Sequence, residues 1–468
     1  MKARLQAVYG DTVDDALRAL EAEFADLQPQ APDDANASRW TERDVVLITY
    51  ADQLRTADGS VSPLATLREW LVANGLDDLL CTVHLLPFCP YSSDDGFSVI
   101  DYLAVDPDAG TWDDIAALGE LFDLMFDLVL NHLSEKSEWF QKYLAGEAPY
   151  DRFFIEVDPS DDFSSVTRPR PGPPYKAVAT SRGERHVWST FSDGAVKDQI
   201  DLNYDEPAVL ARMLRILVEY ARRGARIVRL DAVAFLWKRL GTTSMHLKET
   251  HELIKLMRDV LAAYTPRTLV LTETNVPHKE NVSYFGQVDA STGEADEAHM
   301  VYQFSLPPLL LEAFLSGDAT ALQEWLMNLA PPPPGCTFFN FTASHDGVGV
   351  RPLEGLVSDE RFAAMAETVA KRGAIVNTRT KPDGTEAPYE LCVAYFSAMA
   401  PSEPDDELHV RRFLSSQAVM LALRGMPAPY FHSLMGTPND TAAAESSGIA
   451  RRINRRKYDR AELDAALA

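Results

Sequence analysis

Short, almost wholly apolar runs alternate with longer amphipathic segments along most of this chain. The apolar runs fall at 45–50, 81–86, 124–130, 225–231, 268–273, 300–304, 337–341 and 427–431. Near-continuous apolar strands are what a sheet covered on both faces requires. Between them, helical segments are predicted over 13–27, 63–73, 112–121, 207–222 and 247–263. Eight strands separated by helices predict an α/β fold, a parallel (β/α)8 TIM barrel. The competing arrangement is an open doubly wound sheet, but no G-x-G-x-x-G follows any of the strands. The eighth strand is the weakest, because Pro427 and Pro429 cannot donate to a ladder.

Two intervals break the rhythm and suggest a division of the chain. Residues 1–43 form a helical lead-in ended by Pro29 and Pro32, and 44–133 carry strands one to three. Residues 134–199 are rich in Pro, Asp, Ser and aromatics and are too long for a structureless loop. They are expected to form a small inserted domain over the C-terminal face of the barrel. Residues 200–468 supply strands four to eight, with a long loop at 351–413 that turns at 381–385.

Composition narrows the class. With 468 residues, 46% of them hydrophobic, the chain can bury a large core. The net charge of −26, with 12 Lys against 32 Arg, argues against nucleic-acid and anionic-membrane partners. No apolar run approaches a membrane span, and the N-terminus lacks a basic-then-apolar leader pattern. The cysteines Cys81, Cys89, Cys336 and Cys392 show no C-x-x-C pairing. Cys81 and Cys336 lie in strand-like runs and read as buried thiols, which fits a cytoplasmic protein. No cluster has metal-ligand spacing, and the sequence leaves homodimerisation open.

The chemistry collects where strands end. In Arg229-Leu230-Asp231, the first and last residues project to one face of a strand, and a guanidinium keeps its neighbouring carboxylate ionised. Alone, such a pair reads as a strand-end ion pair. Glu273 and Asp346 are read as closing strands five and seven in the same way, and His132 and His345 lie beside such ends. Three carboxyls in one barrel mouth crowd one another, so at least one proton affinity should rise. Glycosyl transfer needs that arrangement: one carboxyl protonates the leaving oxygen and another attacks the sugar.

Four strand-end stretches then carry a resemblance: D-L-V-L-N-H at 127–132, R-L-D at 229–231, Thr272-Glu273 and Ser344-His345-Asp346. In order and spacing they resemble the motifs of the α-amylase superfamily, glycoside hydrolase family thirteen. Asp95-Gly96-Phe97, Arg168-Pro169-Arg170-Pro171-Gly172, Gly241-Thr242-Thr243-Ser244 and Arg452-Ile453-Asn454-Arg455 point to its sucrose-phosphorylase-like branch. The resemblance runs from about residue 44 to the end of the chain. It implies Asp231 as nucleophile, Glu273 as general acid/base and Asp346 as a grip on sugar hydroxyls. Arg229, His132 and His345 would hold the glucosyl unit, Asp94 and Arg451 its far hydroxyls, and Phe97 its face. Arg170 would bind phosphate, since a guanidinium fork matches it. The implied reaction is double displacement with retention. Phosphate replaces water as the second nucleophile and yields α-glucose 1-phosphate, with no metal or cofactor. Family members normally continue into a small antiparallel β domain, which the sequence given does not include.

The acceptor is where the chain departs from sucrose phosphorylases, which carry His and Tyr where Asn275 and Phe235 stand here. Ser93 to Tyr102 and Thr272 to Lys279 resemble the glucosylglycerate phosphorylases instead, so glucosylglycerate ranks first. Sucrose, sucrose 6-phosphate and glucosylglycerol are the alternatives, and plain α-glucoside hydrolysis is a further one. His278, Lys279 and Arg379 are candidates to meet an anionic acceptor.

Overall fold

A computed structural model describes residues 1–31, 38–192, 198–380 and 385–468. Eight strands form one parallel sheet: β1 Val46–Thr49, β2 Thr82–Leu85, β3 Asp123–Val129, β4 Ala225–Asp231, β5 Leu269–Thr272, β6 Met300–Tyr302, β7 Thr337–Asn340 and β8 Met426–Pro427. They neighbour one another in sequence order, and the Ile48 N–H donates to the Pro429 carbonyl at 2.9 Å, closing the ring between β8 and β1. The predicted barrel is therefore the fold. β8 is short because Pro427 and Pro429 can only accept; Ala428 supplies the N–H between them, bonded to the Asn340 carbonyl at 2.7 Å.

Helices sheathe the barrel, and several begin where local chemistry dictates. Ser62 caps Pro63–Ala73 by accepting from the Ala65 N–H, and Thr111 with Asp114 forms a capping box on Trp112–Gly119. Pro207–Arg222 and Lys248–Tyr264 follow their sequence predictions within a residue or so at each end. The lead-in holds two helices: Val13–Glu23 was predicted, Lys2–Tyr9 was not. Lys2–Tyr9 has no continuous apolar stripe, and buries only Leu5 and Tyr9. Helices Leu306–Ser316 and Thr320–Asn328, between β6 and β7, were also not predicted.

Two expectations are corrected. The interval 351–413 is not a long loop. It holds helix Asp359–Lys371, a hairpin of Ile375–Thr380 with Glu386–Cys392, and the start of helix Asp406–Ala422. Its strands hid because polar residues and Pro388 interrupt them. The turn expected at 381–385 lies, but for Thr385, outside the described residues. The second correction is Cys81, which is only half-buried; Cys336 is buried as expected, one residue before β7.

The segment after β3 is tied to the barrel mouth. His132–Ser134 pairs antiparallel with Gln199–Asp201, and between them lie helix Glu138–Ala145 and the hairpin Tyr175–Thr180 with Gly183–Trp188. Beneath this attachment Lys238 reaches from the turn after β4 to Asp201 at 2.8 Å and donates to the side-chain Oδ1 of Asn131 at 2.5 Å, all of it buried. Among the described residues, no helix is long and apolar enough to cross a membrane.

Losing one member of a buried ion pair leaves the other charge stranded. Lys238→Met should cost about 3 kcal/mol in urea unfolding, at the low end for such pairs because Thr190 and Asn131 still donate to Asp201.

Candidate active site

The site is built from the barrel axis outward. The β3–β4 register sets Asp127 opposite Arg229 and Val129 opposite Asp231. Arg229 donates to Asp127 and, at 2.8 Å, to Asp231. On its other oxygen Asp127 meets His84 of β2 at 2.6 Å. The order His84, Asp127, Arg229, Asp231 thus crosses three strands through direct bonds. Burial raises Asp127, but Arg229 and His84 outweigh it and hold its carboxyl below the usual range. Burial lowers His84 despite Asp127, so His84 is neutral and donates its proton.

The chain turns sharply after Asp231. Ala232 has φ +50°, a left-handed conformation uncommon for alanine. Its N–H donates at 3.0 Å to the Glu273 carboxylate, and the Glu273 N–H donates at 3.1 Å to the Leu230 carbonyl. Glu273, the first residue past β5, is thereby held against the residue that follows Asp231. Burial pushes both carboxyls up against the pull of Arg229, and Glu273 raises Asp231 further.

Asp346 arrives by another route than predicted. β7 ends at Asn340, and Asp346 sits in a later tight turn in which the Gly347 N–H donates to the Ser344 carbonyl at 3.2 Å. Gly347 has φ +86°, and a Cβ there would meet the Leu391 carbonyl oxygen at 2.4 Å, so glycine is required. Arg451 lies 3.0 Å from Asp346 and Arg455 3.8 Å. Against burial, Arg451, His345 and Arg455 hold Asp346 well below the carboxylate range. The three carboxyls therefore differ as the crowding argument requires.

A pocket open to solvent is lined by Asp231, Glu273, Asp346, Asp94, Phe97, His132, His345, Arg170, Phe235, Asn275 and Arg451. Arg229 lies just beneath. Phe97 stacks on His345 with centroids 4.6 Å apart and planes 7° from parallel. His132 bonds the Phe97 carbonyl through Nε2 at 3.0 Å, and its Nδ1 lies 3.3 Å from the Asn131 amide. Burial lowers both histidines, so both are neutral. Asp94 and Asp95 take left-handed φ of +52° and +48° and are pinned by Arg451 at 3.5 Å, Arg452 at 3.0 Å and Arg455 at 2.9 and 3.2 Å. Arg170 reaches in from the inserted segment; among the described residues its nearest ionic partner is Glu390 at 4.0 Å. Among the described residues, no cluster of His, Cys, Asp or Glu is arranged to hold a metal.

Three candidates fall elsewhere. His278 packs against Trp325 and Phe338, Lys279 is exposed, and Arg379 pairs with Glu354 at 2.6 Å. None lines the pocket. Conversely, Tyr389, Glu390, Phe191 and Gln199 line it and were not singled out. Glu390 bonds Arg451 at 2.6 Å. It comes from the hairpin hidden in the supposed loop, and no short motif marks it.

The barrel and its acid-lined mouth define a class, and comparison with known proteins agrees. Residues 79–326 match the family model described as alpha amylase, catalytic domain, and the chain belongs to that family. Within it the chain is 48% identical over 431 residues to a glucosylglycerate phosphorylase of Escherichia coli (strain K12), covering 92% of this chain and 74% of that one. It is 47% identical over 463 residues to a glucosylglycerate phosphorylase of Spirochaeta thermophila, covering 98% and 76%. A sucrose phosphorylase of Bifidobacterium adolescentis is more distant, at 29% identity over 90% of this chain and 82% of that one. The crystal structure of sucrose 6F-phosphate phosphorylase from Thermoanaerobacter thermosaccharolyticum superposes with a TM-score of 0.79 at 26% identity, covering 92% of this chain and 85% of that one.

A carboxyl raised by burial favours folding while protonated, so its contribution falls as pH rises above the ordinary carboxylate value. Glu273→Gln should therefore raise the melting temperature at pH 8 relative to the native enzyme, with the gain fading towards pH 4 as both states become neutral; these pH points are approximate. Thermal scans across that range test it.

Proposed function

We propose that this chain is a retaining phosphorylase of glucosylglycerate, converting it with inorganic phosphate into α-glucose 1-phosphate and glycerate. The observation that carries this reading is the Glu273 carboxylate seated on the N–H that follows Asp231, with Arg229 bonded to Asp231, in a pocket that Arg170 also enters.

Asp231 and Glu273 together hold protons more tightly than separate carboxyls, and their titrations belong to the pair. The direct guanidinium bond selects Asp231 as the ionised member and leaves the proton on Glu273. Asp231 attacks the anomeric carbon from one face while Glu273 protonates the departing glycerate oxygen. A β-glucosyl ester forms on Asp231. Glu273, now ionised, takes a proton from the incoming phosphate, whose oxygen displaces Asp231 and restores the α configuration. Asp346, kept ionised by Arg451, grips ring hydroxyls. Phe97 and His345 form one continuous stacked wall against the sugar, and His132 fixes the Phe97 backbone. Asp94 and Arg451 close the far end. Phe235 and Asn275 border the acceptor side.

Arg170 is the phosphate ligand of this reading. Among the described pocket residues, Arg451 already bonds Glu390 and Asp346, whereas Arg170 has only a 4.0 Å approach to Glu390. The identities of 47–48% to glucosylglycerate phosphorylases, against 29% to a sucrose phosphorylase, support the acceptor assignment. Four unpaired cysteines support a cytoplasmic location.

Glucosylglycerate with phosphate should yield α-glucose 1-phosphate stoichiometrically, and glycerate should outpace glycerol, fructose and fructose 6-phosphate in reverse. Free glucose with no dependence on phosphate would mean a hydrolase instead. Asp231→Ala should lower kcat by about 10⁴-fold or more. Arg170→Ala should raise the KM for phosphate by about 10- to 100-fold, the loss of one or two charge-assisted hydrogen bonds.

A further inference from the structure

We propose that Gly349 sets the acceptor side of the pocket, and with it the choice of leaving group, by leaving room for the amide of Asn275. The proposal builds on the phosphorylase reading above and names a residue through which that site selects its acceptor. Gly349 ends the short strand Val348–Gly349 and lies opposite Glu390 in an antiparallel pair. Its φ is outside the left-handed region, so the backbone alone does not demand glycine.

The neighbour does. A Cβ on Gly349 would lie 2.5 Å from Oδ1, 2.6 Å from Nδ2 and 2.8 Å from Cγ of Asn275. Oδ1 and Nδ2 are both nearer than Cγ, so the oxygen–nitrogen edge of the amide abuts the glycine, in space that a Cβ would take. Both residues line the pocket. Among the described residues, buried Oδ1 of Asn275 has no hydrogen-bond partner, so shape, not a bond to that oxygen, sets the amide's orientation.

The backbone end of Asn275 is fixed as well. The Val276 N–H bonds the Thr274 carbonyl at 2.9 Å, closing a tight turn. The Thr274 hydroxyl donates to Asn281 at 2.8 Å, and Asn281 donates to the Tyr302 carbonyl at 2.7 Å. Two residues beyond Glu273, one side chain thus remains whose orientation depends on a missing atom at position 349. With Oδ1 buried, Nδ2 is the amide atom left to donate, which suits the oxygens of a small hydroxy acid leaving from Glu273. Gly349 acts through Asn275 and is a positioning residue.

The test is a double-mutant cycle on the intact enzyme with Gly349→Ala, Asn275→Ala and the two combined. Glucosyl transfer is measured to glycerate and to phosphate, with melting temperatures alongside. Gly349→Ala should lower the ratio of kcat/KM for glycerate to that for phosphate by about tenfold or more. In the Asn275→Ala background the same substitution should change that ratio by less than about twofold, because the clash has gone. An unchanged ratio in Gly349→Ala, or an equal fall in both backgrounds, overturns the proposal. If Gly349→Ala alone does not fold, recovery of folded protein in the double variant supports it, and no recovery refutes it. Failure of the native enzyme to use glycerate would refute the functional reading instead, and the cycle is then read on the acceptor it does use, where the same coupling is required.

Discussion

One guanidinium in the barrel core organises this protein. Arg229 is buried on β4 between Asp127 and Asp231, and nothing polar other than protein can satisfy it there. A lone charge at that depth would be prohibitive, so its carboxylate partners are obligatory. His84 completes the account by donating to Asp127. The arrangement does two things at once. It neutralises the centre of the barrel, and it fixes one oxygen of Asp231, leaving the rest of that carboxylate to the pocket.

From that anchor the remaining acids are differentiated by their surroundings. Asp346 faces two arginines and is held low, whereas Glu273 has a backbone N–H and no direct cation among the described residues, so burial prevails and raises its proton affinity. Groups of similar intrinsic acidity are driven apart by the elements that carry them: Asp346 is held down by its arginines, while burial pushes Glu273 and Asp231 up. The strain is local: left-handed φ at Asp94, Asp95 and Ala232 borders the chemistry, where neighbouring ion pairs and backbone bonds over-determine the chain.

Much of this was legible in the sequence because barrel strands are short, apolar and end in chemistry. Arg229 and Asp231 could be paired from period-two alternation alone, and Glu273 from the strand that precedes it. Asp346 could be found by motif but not by geometry, since its turn lies well beyond β7. Glu390 and Tyr389 were illegible. They come from an antiparallel hairpin that closes over the mouth, where alternation is broken by Pro388 and the partners lie far apart in sequence. His278, Lys279 and Arg379 show the converse error: charge near a motif indicates proximity in sequence, while packing against Trp325 or pairing with Glu354 decides where the side chain points.

In the proposed mechanism Asp231 bonds transiently to a sugar carbon while Glu273 handles the proton. The most direct measurement is mass spectrometry of peptides from enzyme quenched during turnover with glucosylglycerate in the absence of phosphate. Asp231 should carry the added mass of one glucosyl residue, and the adduct should disappear when phosphate is supplied as α-glucose 1-phosphate accumulates. Formation of α-glucose 1-phosphate by an Asp231→Ala enzyme at the native rate, or an adduct on any other carboxylate, would contradict it.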